Sequence, residues 1–317
     1  MVLELDKEIA AAVAQLGDMS KFPKPAVHDI EGRRQLLAGL VNPNADSANE
    51  NVLEETILAT AEDGHEVPVL RFKVKGGGSS DAPGPAVLHM HGGGYIALRA
   101  SINNVGNRAY ALESGVQVFS VDYRLAPEHP YPTGLEDCWA ALQHIISNAK
   151  DLGVDVARIG VMGESAGGGL AAAMTLLARD RNLSPPLARQ ILVFPMLDDR
   201  NKEVVPEGMF SVWNHDDTLT GWTAYLGSKA GGPDVPATAA PARVSDVAGL
   251  PPLFLEVGQM DHFMKEDYAY VQKFIDAGIE VEFHVYPGMP HGWSIFGPGH
   301  RVTIASQASK INQLKRL

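Results

Sequence analysis

Cysteine is nearly absent: Cys138 is the only one in 317 residues. A single thiol excludes an internal disulfide framework, and a reducing compartment, the cytoplasm, is the expected home. Positive charge is scarce too, with 26 Lys and Arg against 38 Asp and Glu, for a net charge of −12. That sign is wrong for a binder of phosphate backbones or of an anionic membrane surface, so neither is an expected partner. No apolar run approaches the ~18 residues of a membrane span. The first residues, Met1 to Leu16, carry Glu4, Asp6 and Glu8 where an export signal would be basic and then apolar, and they read as an amphipathic helix of the mature chain. Internal repeats are also missing.

What is present is a long alternation. Two strand-like runs, Val52–Thr60 and Val67–Lys75, flank the turn signal Glu62-Asp63-Gly64 and predict an antiparallel hairpin. Residues Gly76 to Pro85, rich in Gly, Ser and Pro, read as a flexible surface loop. Six short apolar runs follow: Ala86–Met90, Val116–Val121, Arg158–Met162, Gln190–Phe194, Pro252–Val257 and Glu280–Tyr286. Between and after them lie helical patterns over Asn103–Ser114, Leu135–Lys150, Ala166–Arg179, Lys265–Ala277 and onward from Val302. Short buried strands alternating with helices predict right-handed βαβ units, hence a mainly parallel eight-stranded α/β sheet covered by helices on both faces. Two stretches break the rhythm. Residues 1–50 are helical but precede the sheet, and residues 200–232 interrupt it with Phe210, Trp213, Trp222 and Tyr225. Together they make a small helical cap or merely peripheral packing, and the pattern alone leaves both open.

The sharpest local signal is Gly163-Glu164-Ser165-Ala166-Gly167, set between an apolar strand and a helix. A serine on so tight a strand-to-helix turn needs neighbours without bulk, and the turn aims its hydroxyl past the C-terminal edge of the sheet, where open α/β sheets carry their sites. The plainer alternative is a glycine-rich turn that lets the helix pack closely. Yet three consecutive glycines, Gly167 to Gly169, weaken a helix by about 1 kcal/mol each, and no Gly-Lys-Ser/Thr ending makes the turn a phosphate loop. A second signal, His91-Gly92-Gly93-Gly94, ends the strand Ala86–Met90. A tetrahedral acyl intermediate needs at least two aligned N–H donors, and glycine amides at Gly92 and Gly93, joined by Ala166, supply an oxyanion hole. His89 and His91 share a strand face as two metal ligands would, but no further ligand accompanies them, so no metal or cofactor is expected. His91 then braces the loop by hydrogen bonding.

A serine nucleophile requires a histidine and a carboxylate to hold it. Of 11 histidines, His291 lies in Tyr286-Pro287-Gly288-Met289-Pro290-His291-Gly292, a loop after the last strand and at the same sheet edge as Ser165. His284 lies inside that strand, His300 is further out, and His129 and His215 read as loop residues. Asp261 follows the preceding strand and is the acid, with helix N-capping as its plainer role. Glu256 is buried in the strand body, and Glu266 and Asp267 fall in the first turn of the next helix. The order Ser165, Asp261, His291 is the one used by α/β-hydrolases.

These motifs, with His91-Gly92-Gly93-Gly94-Tyr95, Val121 to Glu128 (VDYRLAPE) and Gly163 to Gly168, resemble the hormone-sensitive-lipase-like family of α/β-hydrolases, the family IV esterases. The resemblance covers nearly all of the chain from about Val87. It implies an α/β-hydrolase catalytic domain over 51–199 and 233–317 with a cap from 1–50 and 200–232. It also implies a carboxylesterase acting on small-molecule esters of short to medium acyl chain through an acyl-enzyme, without cofactor and often as a homodimer. Tyr95, Trp213 and Trp293 become candidate substrate contacts, with Trp222 and Phe296 as further pocket or core aromatics. One departure is visible: such proteins usually continue from the acid through Pro or Ile, Leu or Phe, Arg and an Asp-Glu pair, whereas here the run is His262-Phe263-Met264-Lys265-Glu266. That bears on what supports His291 from behind, not on the triad. The same triad also cleaves amides, lactones, lactams and carbamates. The family further resembles plant hormone receptors that bind without turnover; those have lost the histidine that His291 supplies here.

Overall fold

The computed structural model describes residues 3–15, 24–40, 49–76, 82–203 and 211–317. Of the loop expected over Gly76 to Pro85, residues 77–81 lie outside the described residues, as does Phe210, while Gly84 and Pro85 already belong to a strand. Among the described residues eight strands form one sheet: β1 (Val52–Thr60), β2 (Glu66–Val74), β3 (Gly84–Met90), β4 (Gln117–Val121), β5 (Val154–Glu164), β6 (Arg189–Val193), β7 (Leu253–Gly258) and β8 (Val281–Tyr286). Their order is β1-β2-β4-β3-β5-β6-β7-β8. β1 pairs antiparallel with β2 and β2 with β4, whereas β4, β3, β5, β6, β7 and β8 run parallel. β4, β6 and β7 are buried at every position, including the polar Gln117, Ser120, Arg189, Gln190 and Glu256 among their apolar residues, as strands covered on both faces are.

Among the described residues ten α-helices connect or flank the strands: α1 (Lys7–Gln15), α2 (Ile30–Leu40), α3 (Asn104–Ser114), α4 (Thr133–Ser147), α5 (Ala149–Leu152), α6 (Ala166–Asp180), α7 (His215–Leu226), α8 (Met264–Asp276), α9 (Trp293–Phe296) and α10 (Arg301–Leu314). α4 packs on α6, while α3 packs on α10. The helix expected over Leu135–Lys150 is divided at Asn148, whose backbone N–H donates to the His144 carbonyl at 3.1 Å and whose side chain donates to the same oxygen at 2.8 Å. β5 starts earlier than its apolar run, because Val154 already pairs with Gly84 before a register shift.

The two segments outside the alternation meet each other. Arg33 of α2 is 1% exposed and bonds Asp217 of α7 at 2.8 Å, while the His28 amide donates to Thr220 Oγ1 at 3.0 Å. Arg34 ties the same helix to Glu128 at 2.7 Å and to the Ile96 carbonyl at 2.8 Å. A capping box between Asn214 and Asp217 starts α7, so His215 is its first residue rather than the loop residue expected.

Beneath the site edge, Glu256 of β7 is fully buried and accepts from Lys310 Nζ at 2.9 Å and Ser306 Oγ at 2.7 Å, which locks α10 to the sheet. Removing one member of such a pair strands a charge, and the loss typically reaches about 3–5 kcal/mol, whereas removing both is far milder. Lys310→Met is therefore expected to lose about 3 kcal/mol or more in guanidinium unfolding, and Glu256→Met/Lys310→Met clearly less. Equal losses in the two proteins would show that the ion pair is not what holds α10.

Candidate active site

Ser165 links β5 to α6 with φ +55° and ψ −122°, a conformation that costs an L-residue about 1–3 kcal/mol. Its amide donates to the Val193 carbonyl at 2.9 Å, and its own carbonyl accepts from Met196 at 2.9 Å. The turn is possible only because the backbone closes on itself. A Cβ at Gly163 would stand 2.2 Å from the Gly167 oxygen, and one at Gly167 would stand 2.1 Å from the Met90 oxygen. The glycines that weaken α6 thus let β3, β5 and the helix start converge.

The glycine loop sits against this turn. Gly92 is so close that a Cβ there would be 3.4 Å from the Ser165 Cβ. Among the described residues no backbone acceptor takes the N–H of Gly92 or Gly93, and Ala166 opens α6, where first-turn N–H groups have no helical acceptor. His91 braces the loop as expected: Nδ1–H donates to the Gly92 oxygen at 2.7 Å. Its ring stacks on Tyr123 at 4.3 Å, whose hydroxyl donates to the His91 oxygen at 2.7 Å. Burial drives the His91 pKa down to about 4, so the imidazole is neutral. His89 faces away from any metal role: Ser120 Oγ lies 2.9 Å from Nδ1 and Glu164 Oε2 lies 2.9 Å from Nε2. Burial pushes the Glu164 carboxyl up, but attraction and hydrogen bonding to His89 outweigh it and hold it below its ordinary value.

The loops after β7 and β8 are tied together by Gln259 N to the Tyr286 oxygen at 2.9 Å and Met260 N to the Met289 oxygen at 3.0 Å. That lacing brings the expected acid and base together. His291 Nδ1–H donates to Asp261 Oδ2 at 2.8 Å, and Ser165 Oγ–H lies 3.0 Å from His291 Nε2. Asp261 Oδ1 accepts from the Phe263 amide at 2.9 Å, so the residue also orders the turn before α8, although α8 itself begins at Met264. Ser165, Asp261 and His291 are 5%, 7% and 7% exposed. Glu266 is directed elsewhere, accepting from the Leu197 amide at 2.7 Å, and burial raises its carboxyl and that of Asp267 well above the ordinary range.

At the departure, Lys265 is turned outward, its Nζ pairing with Glu203 at 2.7 Å. Besides Asp261, two aromatic rings pack against His291, Phe194 at 4.6 Å and Phe263 at 5.2 Å, both in edge-to-face arrangement. No local pattern marks these two residues, because their contact with His291 depends on three separate strand ends.

The expected substrate contacts divide. Tyr95 is a correction: with φ +67° its side chain turns inward, stacks on Tyr225 at 4.2 Å and donates to the Met196 oxygen at 3.0 Å, so it braces the core. Trp213 lies against the glycine loop, where a Cβ on Gly94 would come within 2.0 Å of its ring. Trp293 meets Phe194 edge-on at 5.2 Å. Both tryptophans are buried, as is Trp222.

A family model described as alpha/beta hydrolase fold matches residues 87–295. The chain is 37% identical over 216 residues to carboxylesterase NlhH of Mycobacterium tuberculosis, a span covering 67% of each. It is 27% identical over 286 residues to ethyl acetate hydrolase of Pseudomonas putida, covering 87% of this chain and 86% of that one. Among solved structures, a bacterial heroin esterase is similar with a TM-score of 0.88 and 34% identity, covering 98% of this chain and 97% of that chain.

The convergence at Ser165 leaves no room for one methyl group. Gly167→Ala is expected to lose about 2 kcal/mol or more, seen as a drop of several degrees in thermal unfolding. A variant as stable as the parent would mean the helix start is not packed against β3 in this way.

Proposed function

The chain belongs to the α/β-hydrolase family, in its hormone-sensitive-lipase-like branch, and on that premise we propose that it is a serine carboxylesterase acting through an acyl-enzyme on Ser165. The observation that carries this reading is the unbroken hydrogen-bond chain from Asp261 through His291 to Ser165, set beside the amides of Gly92 and Gly93.

As Ser165 Oγ bonds to the ester carbonyl carbon, its proton passes to His291 Nε2. Asp261 holds the Nδ1–H tautomer and stabilises the imidazolium. The carbonyl oxygen, now an oxyanion, is taken by the N–H groups of Gly92, Gly93 and Ala166, which are already fixed and need no reorganisation. His291 then returns the proton to the leaving alkoxide oxygen, the C–O bond breaks, and Ser165 retains the acyl group. Water, deprotonated by the same Nε2, attacks the acyl carbon; collapse releases the acid and gives Ser165 its proton back.

Short to medium acyl chains suit this site. Trp213 rests on Gly94 of the glycine loop and Trp293 on Phe194, whose ring meets His291, which supports bulky walls near the nucleophile, and one relative is named for ethyl acetate. The segments bearing α2 and α7, joined through Arg33 and Asp217, act as a cap over the catalytic domain. Among the described residues no helix is long and apolar enough to cross a membrane. A lone buried cysteine fits action in the cytoplasm, and the family resemblance supports a homodimer.

On p-nitrophenyl esters from acetyl to palmitoyl, turnover should peak at the short end and vanish in Ser165→Ala. Asp261→Asn should lower kcat by up to about 10⁴, because it presents the wrong tautomer to Ser165. Undiminished turnover in either variant would remove that residue from the triad.

A further inference from the structure

Two imidazoles beside the triad have no task in the reaction. His262, next in sequence to Asp261, is 4% exposed, and neither of its ring nitrogens has a hydrogen-bond partner among the described residues. His215, the first residue of α7, faces it at 6.4 Å between ring centroids, and its Nδ1 is likewise buried and without a partner there.

Both sit close to the reacting centre. His262 lies edge-on to Phe263 at 5.4 Å, and Phe263 lies edge-on to His291 at 5.2 Å. Two residues before His215, Trp213 rests on Gly94 of the glycine loop. The stretch 213–215 therefore runs from the loop that offers the oxyanion donors to the loop that carries Asp261, and His215 and His262 meet at its far end.

Buried donors and acceptors left unpaired are costly unless a partner arrives. Burial brings the His262 pKa down to about 4, so at neutral pH its ring offers one N–H donor and one acceptor and carries no charge. Such a ring suits a neutral polar group, a hydroxyl or a ketone, rather than a carboxylate. Plain hydrocarbon placed there would leave the nitrogens unsatisfied, and a site built around unpaired polar atoms discriminates strongly against analogues lacking the matching group.

We propose that His262 and His215 form a polar subsite beside the triad that takes a neutral hydroxyl or carbonyl group on the ester, so that the protein favours esters bearing a second polar group over aliphatic esters of equal size. This rests on the esterase reading above. The test compares kcat/KM in two matched pairs: ethyl acetoacetate against ethyl isovalerate, which varies the acid, and hydroxyethyl butyrate against propyl butyrate, which varies the alcohol. In at least one pair the wild type should prefer the polar member, and His262→Phe and His215→Phe should each cut that ratio about tenfold. His262→Asn, which keeps a donor and an acceptor, should retain part of the preference and shows that the effect is not simple misfolding. A wild type without polar preference in either pair, or a preference that persists in either Phe variant, overturns the subsite. Hydrolysis of p-nitrophenyl butyrate by the wild type separates the two readings: its absence removes the esterase assignment and the subsite with it, while its presence without polar preference removes the subsite alone.

Discussion

Ser165 is held in a backbone conformation that an L-residue avoids, and the positions of the other functional groups are set relative to it. At φ +55° the residue survives only because neighbouring backbone over-determines it. Val193 accepts its N–H, Met196 donates to its carbonyl, and two glycines let the strand end and helix start come within contact distance. β5 lies between β3 and β6, which places the glycine loop on one side of the serine. β7 and β8 follow beyond β6, so the loops bearing Asp261 and His291 reach the same edge from the other side. The strain of about 1–3 kcal/mol is offset by the packing of the parallel sheet.

Around that turn the polar groups are arranged in advance of any ester. His91 is neutral and braces the glycine loop, while the Tyr123 hydroxyl clamps the same loop from the segment after β4. His291 is fixed by one hydrogen bond to Asp261 and by the edges of Phe194 and Phe263. A donor set that does not have to move as charge develops is the main source of catalytic stabilisation in acyl transfer. The buried Glu256–Lys310 pair and the His89–Glu164 pair anchor the strands from below without touching the reacting atoms.

What could be read from the chain beforehand was whatever local chemistry dictates. The glycines about Ser165 and after His91 announce turns that no other residue can make, and apolar runs of strand length announce a buried parallel sheet. Asp261 and His291 were expected together because each follows a strand that ends at the same sheet edge as Ser165, and hydrogen bonds join Asp261 to His291 and His291 to Ser165. The supports of His291 were not, since Phe194 and Phe263 look like ordinary core residues until three strands bring them together. Tyr95 misled because its positive φ, which turns the ring inward, leaves no trace in composition. His215 is instructive in the opposite sense: Asn214 and Asp217 spell a capping box, a signal present in the sequence that would have put it at a helix start.

The central claim is that an acyl group passes through Ser165, and the direct test is to catch it there. During turnover of p-nitrophenyl acetate, quenched samples digested and analysed by mass spectrometry should show one acetyl group on the peptide containing Ser165, building up while substrate lasts and decaying once it is spent. Steady turnover with that peptide unmodified, or with the acetyl group only on other residues, would contradict the account.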